Sequence, residues 1–500
     1  MEMMRTTVAV ICDIHLPADK RSPQYAFLSM ATQQIQRDGI QTVLSLGDLT
    51  AFGDPAAWEL YLEAVAPFLH MEILGNADVR NADTADLLAS KTHSREMKLA
   101  GRRVLGLNTP HGLISEDDWS RLEELSDGDV VLLHHYLSAL KEPTRTRFLA
   151  FLQSRALTVL HGHAHRDFDY TVGKTRVLGF RGLDPDKAIG GFPCIHYLTF
   201  EKEIAVRAVS FSIDPSVARG ISDWFGVSCV SYYNDVRYAA DRGIRYIELR
   251  CDKKDWDLDP SLLCEIERWR EKTGGFLSVH MPNLSWRDGG VIGVEKWNAV
   301  LSDALLLHAD HLTVHPPRRT SRRNVLEDPV CFASLLEHYV SAIRRLDGKV
   351  TVGIENLHCE PDEACDETRA FAYTPEEVRC WIAAINQALG CPDRVGHVLD
   401  VGHARNNGSL AKEYPISRWY LEMGGMARAY HIHQTVKQEN GQLKNHKPIE
   451  SWFGPMINYC GFLWAWEQGI LNRAPIFLEV KGFENHEKSL QGFEKAFFER

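Results

Sequence analysis

The chain has 500 residues, 44% of them hydrophobic and 25% charged, with a net charge of −11. That length exceeds what one hydrophobic core organises, so two domains are expected, and no apolar run reaches the ~18 residues of a membrane span. The acidic balance extends over both halves, which argues against a protein that tracks a nucleic-acid backbone. The eleven cysteines are scattered without a CxxC pair, as in a protein with reduced thiols. The opening "MEMMRTTVAVICD" runs straight into a strand-like stretch without a signal-peptide pattern, so a cytoplasmic location is expected.

From residue 5 to about 210, β and α patterns alternate. Short apolar runs "TVAVICD", "TVLSLGD", "MEILGN", "VVLLHH" and "LTVLHGH" read as buried strands, with helical patterns such as "YAFLSMATQQIQRDG" and "PAAWELYLEAVAPFL" between them. After His165 the pattern turns to hairpins, in "YTVGKTRVLGF" and "CIHYLTFEKEIAVRAVSF". Around "SIDPSVARGISDW" it breaks, which puts a boundary near residues 213–224 and a first domain at 1–212. A second domain, 225–500, then repeats β–α eight times. Its strands are "FGVSCVS", "RYIELRC", "FLSVHMP", "HLTVHPP", "KVTVGIEN", "RVGHVLDVGH", "AYHIHQT" and "PIFLEVKG". Eight such repeats over that length predict a (β/α)8 barrel.

The strands of the first half end on chemistry. "CDIH" carries Asp13 and His15, "GDLT" Asp48, "GNAD" Asn76, "LLHHY" His134 or His135, and "HGHAH" His163 and His165. A lone Asp-x-His is ordinarily a helix cap and a lone Gly-Asp a turn. Five such signals in fixed order, each closing an apolar strand, exceed that explanation. Carboxylate, imidazole and amide oxygen together suit Mn²⁺, Fe²⁺, Zn²⁺ or Ni²⁺, and a shared carboxylate suits two ions acting on a phosphoester. Glycines precede Asp48, Asn76 and His163, where the backbone must turn tightly.

Across residues 5–210 this pattern resembles the calcineurin-like metallophosphoesterase superfamily, which implies an α/β/β/α sandwich of two sheets. The resemblance implies Asp13, His15 and His165 on one metal and Asn76, His134 and His163 on a second. Asp48 would bridge them, and Asp48 and Asn76 would serve catalysis. Taking His134 rather than His135 follows the family habit of using the first His after the strand. One departure stands out: Ala77 occupies the position where many members carry a leaving-group His. Its absence disfavours poor leaving groups and fits a small diester, with His161, His111 or His70 as substitutes that the sequence does not choose between. Asp78 is expected to support the ligands from behind.

In a barrel, function gathers at the C-terminal strand ends. There the second half places Glu248, His280, His315, Glu355 with Asn356, Asp400 and His403, His431 or His433, His446 and Glu479. Buried carboxylates at so many strand ends call for a compensating cation. This half is similar to the superfamily of xylose isomerase-like epimerases and multi-zinc apurinic-site endonucleases. The resemblance implies Glu355, Asp400, His431 and Glu479 on one metal, His280 and His315 with a shared Glu355, and His403 with His446 on a third ion. One to three Zn or Mn ions are therefore expected. Two positions depart from the endonuclease pattern: Lys444 in "KNH" and Gln434 after strand seven replace acidic residues. Arg318, Arg319, Arg322 and Arg323 in "PPRRTSRRN" offer a phosphate clamp.

Together these features predict a bifunctional metal-dependent hydrolase acting on a small phosphodiester or sugar phosphate. The first domain would open the diester. The barrel would remove phosphate from the product or, with Glu355 and Glu479 as an acid/base pair, isomerise its sugar. The competing expectation is a nucleic-acid processing enzyme joining a nuclease to an abasic-site phosphodiesterase, which the motifs favour and the charge does not. No membrane partner is expected, and the oligomeric state is open.

Overall fold

A computed structural model describes residues 5–92, 95–253, 256–319, 325–359 and 372–499. Arg322 and Arg323 lie outside them. The chain divides into two compact units, one of residues 1–212 and 453–461 and the other of residues 213–452 and 462–500. The first unit therefore takes a segment from far along the chain, Phe453–Gly461, in which Asn458 Nδ2 donates to the carbonyls of Ala188 (2.5 Å) and Gly191 (3.0 Å). The described residues include no helix long and apolar enough to cross a membrane.

Among the described residues, eleven strands build the first unit: β1 (Thr6–Ile11), β2 (Thr42–Ser45), β3 (Leu69–Glu72), β4 (Glu96–Leu99), β5 (Arg102–Gly106), β6 (Val130–Leu133), β7 (Thr158–His161), β8 (Phe168–Val172), β9 (Thr175–Gly179), β10 (Cys194–Phe200) and β11 (Ile204–Ser210). They form two sheets, in the orders β11-β10-β1-β2-β3 and β4-β5-β6-β7-β9-β8. Alternation along each strand decides the layers. Val8 and Val10 of β1 meet Val130 and Leu132 of β6 and Leu160 of β7 between the sheets. Ala9 and Ile11 face α1 (Pro23–Arg37) and α2 (Pro55–Val65). Val131 and Leu133 pack instead with Trp119 and Phe148 on the far side. The result is the four-layer α/β/β/α sandwich, with β1, β2 and β3 parallel and β5, β6, β7 and β9 parallel. The β4–β5 hairpin is an addition that the sequence reading did not foresee.

The second unit contains β12 (Phe225–Cys229), β13 (Tyr246–Leu249), β14 (Phe276–His280), β15 (Ser285–Arg287), β16 (Gly290–Ile292), β17 (His311–Val314), β18 (Arg318–Arg319), β19 (Thr351–Glu355), β20 (Val395–Asp400), β21 (Ala427–Ile432), β22 (Gln434–Lys437), β23 (Leu443–Lys447) and β24 (Ile476–Leu478). Eight of them, β12-β13-β14-β17-β19-β20-β21-β24, close a barrel. Every pairing in it is parallel, and β12 returns to β24 at Phe225↔Ile476. These are the eight strands expected from the sequence. The remaining strands form small surface sheets on the loops, among them the β22–β23 hairpin.

Helix starts follow a recurring local rule. Ser22-Pro23, Asp54-Pro55, Asp214-Pro215, Asp259-Pro260, Asp328-Pro329 and Thr374-Pro375 each place a capping side chain on a backbone N–H and a proline in the first turn. A proline there gives up no hydrogen bond, since that N–H has no partner within the helix. The rule sets where each helix begins, and hence the length of loop left to carry a ligand.

Leu132 is fully buried between the two sheets of the first unit. Leu132→Ala is expected to cost about 2–5 kcal/mol through lost contacts and a residual cavity, measured as a lower denaturant midpoint for the transition of that unit.

Candidate metal centres

In the first unit the parallel strands β1, β2, β6 and β7 deliver their following residues to one point. Asp48 lies at the centre: its Oδ2 is 3.2 Å from His15 Nε2 and its Oδ1 is 3.3 Å from His134 Nε2. His134 Nε2 is also 3.3 Å from Asn76 Oδ1 and 3.1 Å from His163 Nδ1. His165 Nε2 approaches Asp13 Oδ1 at 4.0 Å, and its ring stacks on His15 with centroids 5.2 Å apart. All seven expected ligands thus share one cluster, and Asp48, His134 and His163 can offer donor atoms within 4.8 Å of one another. His134 rather than His135 reaches Asp48 and Asn76, while His135 packs on His163 with centroids 4.5 Å apart.

The backbone there is unusual. Asp13, His15, Asp48, His163 and His165 all adopt positive φ, between 48° and 65°. Non-glycine residues rarely do so, and each such residue costs of order 1 kcal/mol or more. Five of them at one site indicate that surrounding structure enforces an orientation of the side chains. Gly47 (φ 85°) and Gly75 let the two loops pass so closely that a Cβ on Gly75 would strike the Asp48 carboxylate.

Supporting residues fix the ring orientations. His134 Nδ1 donates to the Leu46 carbonyl (2.8 Å), which leaves Nε2 facing the cluster. Asp78 accepts from the backbone N–H of Thr50 (2.7 Å), Leu49 (3.3 Å) and Gly75 (2.9 Å), tying the Asp48 loop to the Asn76 loop. Asp184, which the sequence reading missed, lies 3.4 Å from His15 Nδ1. Of the substitutes weighed for Ala77, His161 turns into the sheet against Phe168 and bonds the Gly162 carbonyl (2.9 Å). His70 pairs with Glu72 (2.9 Å), and His111 is exposed.

Electrostatics fit a cation. Burial works to raise Asp48, but His134 and His15 outweigh it and hold the carboxyl well below its usual range. Burial likewise works to lower His134, and the Asp48 charge overrides it, raising the imidazole to about 9. Burial raises Asp13 to about 7 despite His134, and it depresses His163 to about 3. The donor set suits a divalent ion.

The barrel gathers a second cluster on Glu355, fully buried at the end of β19. Its Oε2 is 3.1 Å from both His280 Nε2 and His315 Nε2. Its Oε1 is 3.2 Å from His403 Nδ1 and 3.5 Å from His431 Nδ1. Neither Oε1 contact has hydrogen-bond alignment, so that oxygen is buried without a bond, as a lone pair reserved for a cation would be. His431 Nδ1 and His446 Nδ1 each lie 3.4 Å from Glu479 Oε2, and His403 Nδ1 lies 3.3 Å from Asp400 Oδ2. All eight expected barrel ligands therefore converge. Burial depresses His315 to about 3, with the Arg318 charge adding to it; Glu248 and Glu355 raise His431 to about 10 against burial.

Three residues join this cluster with roles that the sequence reading did not assign. His433, weighed as an alternative to His431, stands with His403 and His446 as a potential three-histidine group, its Nε2 3.3 Å from Asp400 Oδ1. Glu248 accepts from Ser278 (3.0 Å) and Thr313 (2.5 Å) and sets its Oε1 3.0 Å from His431 Nε2, orienting that ring. Arg250 is ion-paired to Glu479 and to Asp252 (3.0 Å). Its only sequence signal was its place two residues beyond Glu248.

The fold and the two clusters together define a mixed α/β chain with a sandwich unit and a closed-barrel unit, each carrying a buried carboxylate–imidazole centre. No family model and no curated protein matches the chain. Solved structures similar to it include a D-tagatose 3-epimerase-like protein, 19% identical, covering 55% of this chain and 97% of that one at a TM-score of 0.38. A D-allulose 3-epimerase from Methylomonas sp. is 16% identical over 52% of this chain and 84% of its own, at a TM-score of 0.37. A predicted phosphoesterase from Streptococcus pneumoniae TIGR4 is 13% identical over 42% and 91%, at a TM-score of 0.25.

Two outcomes are expected. Glu248→Gln should weaken metal loading of the barrel by about 10–100-fold through a misoriented His431, read as the Kd for Zn²⁺ in calorimetry. For the first unit, His134 carries a raised pKa of about 9 and must lose its proton to bind an ion. Its Mn²⁺ affinity should therefore fall as pH drops from 8 to 6. Loading that does not change over that range excludes His134 as a ligand.

Proposed function

We propose that the chain is a bifunctional metal-dependent phosphoester hydrolase, in which the sandwich unit opens a small phosphodiester and the barrel removes phosphate from the product. The observation that carries the first part is the Asp48 cluster, where one carboxylate turns an oxygen toward each of two imidazole groups. When bound, divalent ions held by Asp48 and its imidazoles would supply Lewis acidity and a water of lowered pKa. The chain's own part is orientation: Asp48 holds His15 and His134 apart on its two oxygens, Asn76 adds a neutral donor, and Leu46 fixes the His134 tautomer.

Ala77 supports a diester with a good leaving group, because it presents only a methyl group where an acid would stand. Its N–H donates instead to Asp48 Oδ1 (2.6 Å). In the barrel, Glu355 favours hydrolysis over isomerisation. With its two oxygens facing different imidazoles, it is placed to hold more than one ion, as a hydrolytic cluster would. A small substrate also suits an acidic chain better than nucleic acid does, and a cytoplasmic setting suits its free cysteines.

The test is a panel of cyclic and linear phosphodiesters and phosphomonoesters run on the metal-loaded chain. Asp48→Asn should lower diesterase kcat/KM by about 10²–10³-fold, the scale of losing one preorganised stabilising group, and spare the monoesterase. Glu355→Gln should do the reverse. A diesterase untouched by Asp48→Asn excludes the first-unit reading.

A further inference from the structure

The barrel unit contains a cavity of about 850 Å³ beside its histidines. Its lining includes His446 of the candidate metal cluster and three lysines, Lys444, Lys447 and Lys481, against one carboxylate, Glu450. Among the described residues none of the three lysines is ion-paired. Ammonium groups on side chains that line one cavity repel one another unless an anion shares it. Lys444 and Lys447 belong to β23, after the seventh barrel strand, and Lys481 follows the eighth. The chain then enters helix Phe483–Phe497, whose N-cap Gly482 contributes no side-chain acceptor to the first N–H groups, and whose Asn485 also lines the cavity. Loops after strands seven and eight are where barrels commonly hold phosphate.

We propose that this cavity is an anion subsite that takes the phosphate of a phosphomonoester dianion, next to the barrel's metal cluster. Lys444 is the informative residue. The endonuclease-like pattern calls for a carboxylate there, two residues before His446, to help hold an ion. A cation at that position cannot do so, and its ammonium lines the wall of an anion site instead. His433, standing with His403 and His446, keeps a full donor group on the metal side. A lysine is a strongly hydrated point charge with three rotatable donors, suited to a phosphate that arrives in more than one orientation. The subsite rests on the barrel acting on phosphorylated small molecules and adds to that reading the place where the phosphate sits.

The experiment titrates inorganic phosphate and, separately, glycerol 3-phosphate into the full chain, metal-loaded and after chelation. The variants are Lys444→Gln, Lys444→Arg and the triple Lys444→Gln/Lys447→Gln/Lys481→Gln. One binding event for each probe should survive chelation, weaken at least ~10-fold in the triple variant and persist in Lys444→Arg. The proposal is overturned if the triple variant titrates like wild type. It is also overturned if a chelated chain that still melts cooperatively binds neither probe, or if inorganic phosphate alone binds. Loss of binding in the triple variant, in a chain whose barrel turns over no phosphorylated substrate, would keep the subsite and refute the barrel chemistry.

Discussion

A carboxylate taken out of water must meet positive charge, and each unit is organised around one that does. Asp48 and Glu355 are both buried, and each turns its two oxygens toward different imidazoles. Leaving such a group unpaired costs several kcal/mol, so the surrounding chain is constrained to keep histidines at fixed places. In both units this fixes what can follow each strand. The strands supply rigid apolar supports, and donors stand at or just beyond their C-terminal ends. The sandwich and the barrel differ in topology yet solve the same electrostatic problem.

The first unit pays for this arrangement in backbone conformation. Five candidate ligands sit at positive φ, which ordinary side chains avoid, and the close passage of the Gly47 and Gly75 loops leaves little room to relax. Asp78 and Asp184 brace these loops from behind. The second unit uses a different device. Its candidate ligands gather at the C-terminal ends of barrel strands and on the elements just after them, and Glu248, Asn356 and Asn283 fix their positions, as when Asn283 Oδ1 holds His315 Nδ1 at 2.6 Å. Among its described candidate ligands only His446 adopts a positive φ (57°), in the β22–β23 hairpin.

Much of this was legible because strand ends leave a pattern: an apolar run closed by Asp, Gly-Asn or His reads directly as support and donor. The eight barrel strands and the donors gathered at their ends were visible for that reason. Apart from Asp78, residues acting from behind left no such mark. Asp184 belongs to the irregular stretch "RGLDPDK" and meets His15 only through the fold. Arg250 looks like any strand-end cation until Glu479 is placed beside it. His433 was one of two alternating histidines, and period two puts such residues on the same side; both serve, in different groups. The β4–β5 hairpin escaped because "EMKLAGRRVLG" mixes charge and apolar residues with no clean alternation.

The segment Phe453–Gly461 has a consequence for how the molecule comes into being. The first unit lacks one of its own pieces until the ribosome has passed residue 461, by which point seven of the eight barrel strands have already been made. Its completion is therefore a late event, although its sheets are the first to emerge. Cutting the gene at residue 212 would not yield the unit as it stands here. The two halves of the chain are interleaved in sequence, so neither can be exchanged for a relative's half by a single crossover.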